Sequence, residues 1–118
     1  MAAINLTKGG FERRIATQVD NLEKLNFLGN KPALIDFYAT WCGPCQRFAP
    51  ILESVSEQYV GKVDIYKVDV DSEEALSSMF NIRSIPTLVF ISASGQVQRV
   101  SGAMSELELK ERLNNLIK

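Results

Sequence analysis

The sequence predicts an α/β domain built as a three-layer sandwich, with a central mixed sheet of four to five strands between helices. Three observations lead there. Ala33 to Ala39 is an almost continuous apolar run, the pattern of a strand covered on both faces. The segments after it alternate between helical and strand periodicity as far as about Phe80. Two short apolar runs then flank the turn Ser92-Ala93-Ser94-Gly95, which makes them an antiparallel hairpin. Crossovers followed by a hairpin give a mixed sheet with helices on both faces.

Around Gly9 to Gln18, Phe11, Ile15 and Val19 keep a four-residue spacing, which suggests a short amphipathic helix. Asp20 to Lys31 is less regular, and Gly29, Asn30 and the Lys31-Pro32 step mark a turn before the central strand. From Gly43 onward Phe48, Ile51, Leu52, Val55 and Tyr59 recur at helical spacing, and Gly61 closes the pattern like a C-terminal cap; Pro50 is a point where this helix could bend. Val63 to Val70 alternates and is β-branched, so it reads as a second strand, followed by a helix capped by Ser72 and running to about Phe80. Thr87 to Ile91 and Gln96 to Val100 form the hairpin. Ser105 starts a terminal helix, with Glu108 completing a capping box and Leu109, Leu113, Leu116 and Ile117 forming its apolar face.

A chain of 118 residues with 46% hydrophobic content suits one compact domain, residues 1–118, with an extended N-terminal segment over about 1–31 and a core over 32–118. Thirteen basic residues oppose fourteen acidic ones, and like charges run no longer than pairs such as Arg13 and Arg14. Nothing in that pattern suits nucleic acid or an anionic membrane surface. The longest apolar stretches fall well short of the roughly 18 residues that read as a membrane span. Met1 to Leu6 lacks a basic segment followed by an apolar one, which favours the cytoplasm; an exported product with its signal removed is the alternative. There is no histidine, so serine-histidine and cysteine-histidine pairs are excluded.

Chemistry therefore rests on cysteines, carboxylates or lysines. The two cysteines stand as Trp41-Cys42-Gly43-Pro44-Cys45, where a buried strand hands over to a helix. Residues i and i+3 at a helix start share a face, with Cβ atoms about 5 to 6 Å apart, so the pair can open and close as a disulfide. Cys42 falls at the helix N-terminus, where unpaired N–H groups and the macrodipole favour a thiolate. Pro44 suits the first turn, and Gly43 lets another chain approach the sulfur. Two plainer readings compete. A static bridge over so short a loop constrains the unfolded chain very little. A zinc site needs two further ligands, and no cysteine or histidine remains to supply them. Redox catalysis is the favoured reading, with the Cys42-Cys45 disulfide in place of any cofactor or metal.

Asp36 is the second unusual residue, a carboxylate inside an apolar strand. If buried, it has a raised pKa and can take the proton of Cys45, directly or through a water; an edge-strand Asp facing solvent is the alternative. Lys67, on the next strand, either reaches towards Asp36 or is an exposed strand lysine. Ile85-Pro86-Thr87 puts a proline at a strand entrance, where a cis bond and an ordinary trans bond are both open. Trp41 is either a docking surface or a cover for the helix end.

Asp36-Phe37-Tyr38-Ala39-Thr40-Trp41-Cys42-Gly43-Pro44-Cys45, Pro50, Ile85-Pro86-Thr87 and Gly102 together resemble the thioredoxin family, over a stretch from about Pro32 to the C-terminus. The Cys-Gly-Pro-Cys turn after a buried Asp-bearing strand is the specific part. The resemblance implies the thioredoxin fold and a cis bond before Pro86. It also implies a substrate groove of Trp41, Gly43, Pro44, Ile85, Pro86 and Gly102, with Asp36 and Lys67 handling the proton. By that likeness the chain is a protein-disulfide reductase, a monomer that exchanges its dithiol with disulfide-containing client proteins. A thioredoxin reductase or other dithiol donor would restore it, within electron transport and cell redox homeostasis. An oxidase, isomerase or dedicated reductant outside the cytoplasm, and a non-catalytic binding subunit of the same fold, are the alternatives. Tyr38 stands where many members carry tryptophan, and Gln46 where lysine or arginine is common. Asp20 to Asn30 looks like an insertion relative to the small housekeeping members.

Overall fold

A five-stranded sheet runs through the middle of the molecule in the order β1-β3-β2-β4-β5. The computed structural model describes residues 2–118. In chain order the elements are β1 (Ile4–Asn5), α1 (Lys8–Arg14), β2 (Ala33–Tyr38), α2 (Gly43–Gln58), β3 (Asp64–Asp69), α3 (Glu74–Met79), β4 (Thr87–Ile91), β5 (Val97–Ser101) and α4 (Glu106–Ile117). Strands β1, β3 and β2 are mutually parallel, while β4 runs antiparallel to β2 and to β5. The apolar run at Ala33 is thus the middle strand, paired on both sides, as its composition predicts.

Side chains on a strand alternate between faces, so each residue of β2 has its layer decided by parity. Ile35 and Phe37 point to one face, where they pack with Phe11, Ile15, Leu76 and Phe80 from α1, α3 and their flanks. Leu34 points to the other, into a cluster with Phe48, Leu52 and Val55 of α2 and Leu109 and Leu113 of α4. Asp36 shares parity with Leu34 and is therefore directed under α2. On β4, Leu88 and Phe90 follow the α2 face and Val89 and Ile91 the opposite one.

Helix α2 starts where predicted and ends three residues before Gly61, whose φ of +83° terminates it with a left-handed residue. Pro50 lies inside it. Ser105 caps α4 as expected, its hydroxyl accepting from the Glu108 N–H at 3.1 Å. Ser72 does not cap α3. The helix begins later, with Glu73 at its N-cap and no side-chain cap bond. Asp69 organises the turn instead: its carboxylate accepts the Asp71 N–H at 2.9 Å and its carbonyl accepts from Ser72 and Glu73. A local Asx turn at the end of β3 leaves Ser72 in the loop.

Two features of the N-terminal region escape the sequence pattern. Strand β1 is two exposed residues long, too short for alternation to register, and exists only through pairing with β3. Residues 20–31 form a strap across the hairpin end: the Leu25 N–H donates to the Gly95 carbonyl at 2.8 Å, the Val97 N–H donates to the Glu23 carbonyl at 2.9 Å, and Lys24 bridges Gln96. Leu25 is buried with Phe11 and Ile91. Gly95 has φ +95°, and a Cβ there would lie 2.3 Å from the Leu25 carbonyl oxygen.

Gly95 and Gly61 share a left-handed backbone but not a neighbourhood, since a Cβ at Gly61 meets nothing within 4 Å. Gly61→Ala should cost only the backbone term of about 1 kcal/mol. Gly95→Ala should cost more, about 2 to 4 kcal/mol, because the strap must also move. Urea unfolding of the two variants measures the difference; equal losses would show that the strap gives way without penalty.

Candidate active site

The C-terminal end of β2 and the first turn of α2 carry the cysteine pair. Cys42 is the N-cap of α2, with extended backbone, and its sulfur accepts the Cys45 backbone N–H at 3.2 Å. Pro44 occupies the first turn, where its missing N–H would have had no partner. Cys42 and Cys45 are joined as a disulfide with Cα atoms 5.2 Å apart. Each is only 5% exposed, packed among Ala39, Tyr38, Val70 and Ile85. The helix end that the sequence assigns to Cys42 is therefore real, and the Cys45 amide of its first turn donates to the sulfur.

Across from this turn the Ile85–Pro86 peptide bond is cis, and the Ile85 carbonyl oxygen lies 3.9 Å from Cys42 Sγ. Among the described residues neither the N–H nor the C=O of Ile85 is taken by backbone pairing. Gly102, with φ +96°, donates its N–H to the Pro86 carbonyl at 2.7 Å, which ties the end of β5 to the proline loop. Pro44 meets the segment after Gly102 around a cavity of about 150 Å³ that also holds Arg47, Phe48, Ile51, Ala103 and Met104. A Cβ on Gly43 would meet only the Arg47 guanidinium, at 3.4 Å. Trp41 is 69% exposed, and its indole N–H donates to the Asp71 carboxylate at 2.8 Å. That bond holds the ring beside the cysteine turn. Asp71 was not foreseeable, because the loop after β3 carries no pattern that points back to residue 41.

Beneath the turn lies a cavity of about 200 Å³ lined by Asp36, Tyr38, Ala39, Thr40, Cys45, Gln46, Ala49 and Lys67. Asp36 is 3% exposed, and its Oδ1 has no hydrogen-bond partner among the described residues. Burial pushes its pKa from 3.8 up to about 7, with the Lys67 charge pulling the other way. Lys67 is the direct register partner of Asp36 on β3 and half-buried, with its ammonium 4.9 Å over the Tyr38 ring. Gln46 reaches back over the cavity, its side-chain amide donating to the Thr40 carbonyl at 2.5 Å. Asp36, Lys67 and Cys45 thus share one space, while Ile85 lies beside Cys42; Trp41, Gly43 and Pro44 adjoin it in the turn, and Gly102 is tied to Pro86.

The comparisons with known proteins agree with this geometry. A family model described as Thioredoxin matches residues 5–115. The chain belongs to the thioredoxin family. A thioredoxin of Borreliella burgdorferi is 39% identical over 116 residues, covering 98% of this chain and 95% of that one. A thioredoxin of Alicyclobacillus acidocaldarius is 34% identical over 116 residues, covering 98% and 99% respectively. Among solved structures, chloroplastic thioredoxin z superposes with a TM-score of 0.81 at 29% identity, covering 98% of this chain and 95% of that one. The family match begins well ahead of Pro32, so it takes in β1, α1 and the strap as well as the motif-bearing core. With its Cys42–Cys45 pair, this thioredoxin-family chain is a thiol:disulfide oxidoreductase that acts as a protein-disulfide reductase. Among the described residues no cluster of ligands fits a metal ion, and no helix is long and apolar enough to cross a membrane.

A carboxyl whose folded pKa stands above its unfolded one supports the fold fully only below the unfolded value, and that support is lost as pH rises through the folded value. For Asp36 the window runs from about pH 4 to about pH 7. Across it the native state should lose about 1.4 kcal/mol per pH unit, about 4 kcal/mol in all as an upper bound. Asp36→Asn should remove this slope, so that the variant gains on the parent protein as pH rises and the gain levels off above about 7. Denaturant unfolding of both proteins from pH 4 to 8 checks this; parallel curves would place Asp36 in contact with solvent.

Proposed function

We propose that the Cys42-Cys45 dithiol reduces client disulfides in two steps divided between the two faces of the cysteine turn. Cys42, as thiolate at the α2 N-terminus, attacks a client disulfide; the Cys42–client bond forms and one client thiolate leaves. Cys45 then gives its proton to Asp36 through the cavity they share and attacks the Cys42 sulfur. The Cys42–Cys45 bond closes, and the second client thiolate is released. Two electrons pass from the dithiol to the client. The observation that carries this reading is the placing of the only buried unpartnered carboxylate oxygen among the described residues in the cavity of the resolving cysteine.

Client binding falls to the ring of groups around Cys42. Ile85 offers its backbone N–H and C=O beside the sulfur, Gly43 and Gly102 leave room for a second chain, and Trp41, Pro44 and Pro86 supply apolar surface. Lys67 moderates the charge of Asp36. No cofactor enters the reaction, because the Cys42-Cys45 dithiol itself carries the two electrons and ends as the disulfide. The dithiol must be restored after every turnover, so the reading places the chain, as a monomer, in the reducing cytoplasm, supplied by a thioredoxin reductase.

Insulin reduction by dithiothreitol should be accelerated by the purified protein, and Cys42→Ser should abolish the acceleration. Cys45→Ser should retain the first step and accumulate mixed disulfides, visible as protein adducts on non-reducing gels. Adducts forming with Cys42→Ser instead would reverse the two roles.

A further inference from the structure

Asp36 and Lys67 face each other in register across parallel strands, at a Cα separation of about 4.8 Å, and point to the same side of the sheet. That arrangement would ordinarily close an ion pair. It does not: among the described residues ion pairs join only Lys31 to Asp64 and Lys110 to Glu106, and Asp36 Oδ1 stays unpartnered. The Lys67 ammonium sits over the Tyr38 ring instead. Tyr38 is two residues beyond Asp36 on the same strand, so it projects from the same face and lines the same cavity. A ring face within about 6 Å attracts a cation, more strongly as water is excluded, and 4.9 Å lies inside that range.

We infer that Tyr38 is a positioning residue for the reduction step: its ring takes up the Lys67 ammonium and keeps it off Asp36, so that Asp36 remains free to exchange a proton with Cys45. The inference rests on the proton route proposed above for Asp36. The groups able to alter Asp36 are few. Lys67 comes from β3, Cys45 from α2 and Tyr38 from β2 itself; β4 brings only Leu88 alongside, and Asp69 acts on Tyr38 from the end of β3. Lys67 is the single cation in the cavity. Burial sets the raised titration of the carboxyl, and where the Lys67 ammonium rests adjusts it.

The test is the titration of the Asp36 side-chain carboxyl, followed by carbon-13 NMR in the reduced protein, in Tyr38→Phe and Tyr38→Leu. Tyr38→Phe keeps the ring and should leave the midpoint within about 0.3 of a pH unit of the parent. Tyr38→Leu releases Lys67 onto Asp36 and should lower the midpoint by about one pH unit or more, the effect of an opposite charge at contact. Repeating Tyr38→Leu in a Lys67→Gln background should abolish the difference. The inference is overturned if Tyr38→Leu leaves the midpoint in place or raises it, if Tyr38→Phe shifts it as far as Tyr38→Leu, or if the shift survives without Lys67. Turnover of Asp36→Asn reports separately on the proton route, because the NMR midpoint does not depend on whether Asp36 serves Cys45.

Discussion

The bond from the Cys45 backbone N–H to the Cys42 sulfur, 3.2 Å long, ties the chemistry of this protein to the first turn of α2. It exists because Cys42 is the N-cap, and Cys42 is the N-cap because β2 ends at Tyr38 and the chain needs only four residues to turn into the helix. A helix start leaves N–H donors without internal partners, and here that of Cys45 meets a sulfur atom. A thiolate at this place meets donors already oriented for it, so its charge requires no rearrangement of the protein. The three-residue spacing of Cys45 follows from the same turn. The nucleophile and its resolving partner are one piece of backbone geometry.

Asp36 is the necessary counterpart. The strand that delivers the cysteine turn has to be buried on both faces, and its parity sends residue 36 under α2. A carboxylate there is costly, and the cost appears as a proton held up to about pH 7. The cavity beside it prevents the group from being sealed off, and joins it to Cys45. A carboxyl so placed titrates near neutrality at a cost in stability, an arrangement shared by many functional carboxyls. Lys67 and Tyr38 line the same space, and the Lys67 charge offsets part of the effect of burial.

Around this centre the sheet acts as a jig. β4 brings Ile85 beside Cys42, and the Gly102 N–H on the Pro86 carbonyl locks the end of β5 to the same loop. Phe80 anchors the other flank through contacts with Phe11 and Phe37, with ring centroids 5.6 and 5.5 Å apart respectively. Arg99 of β5 donates to the carbonyls of Phe80 and Asn81, where α3 ends and the loop towards Ile85 begins. The groups near Cys42 are thus carried on loops, but each loop is tied to a strand.

The sequence by itself determined everything carried by local periodicity and by residue chemistry at fixed spacing. Ala33 to Ala39 read as a buried strand, the run from Gly43 as a helix, and the two-cysteine turn between them placed Cys42 at a helix start. The buried carboxylate was legible for the same reason, as a polar residue inside an apolar run. Tertiary structure decided what depends on pairing between distant segments. The two residues of β1, the strap over 20–31 and the late start of α3 carry no periodicity of their own, since each is set by hydrogen bonds to partners elsewhere or by a turn. Likewise the choice of Lys67 between Asp36, solvent and the Tyr38 ring, and of Trp41 for Asp71, was settled only when register brought the groups within a few ångströms. Local patterns name the elements and the reactive atoms; the distances that tune those atoms arise between elements, where sequence spacing has no meaning.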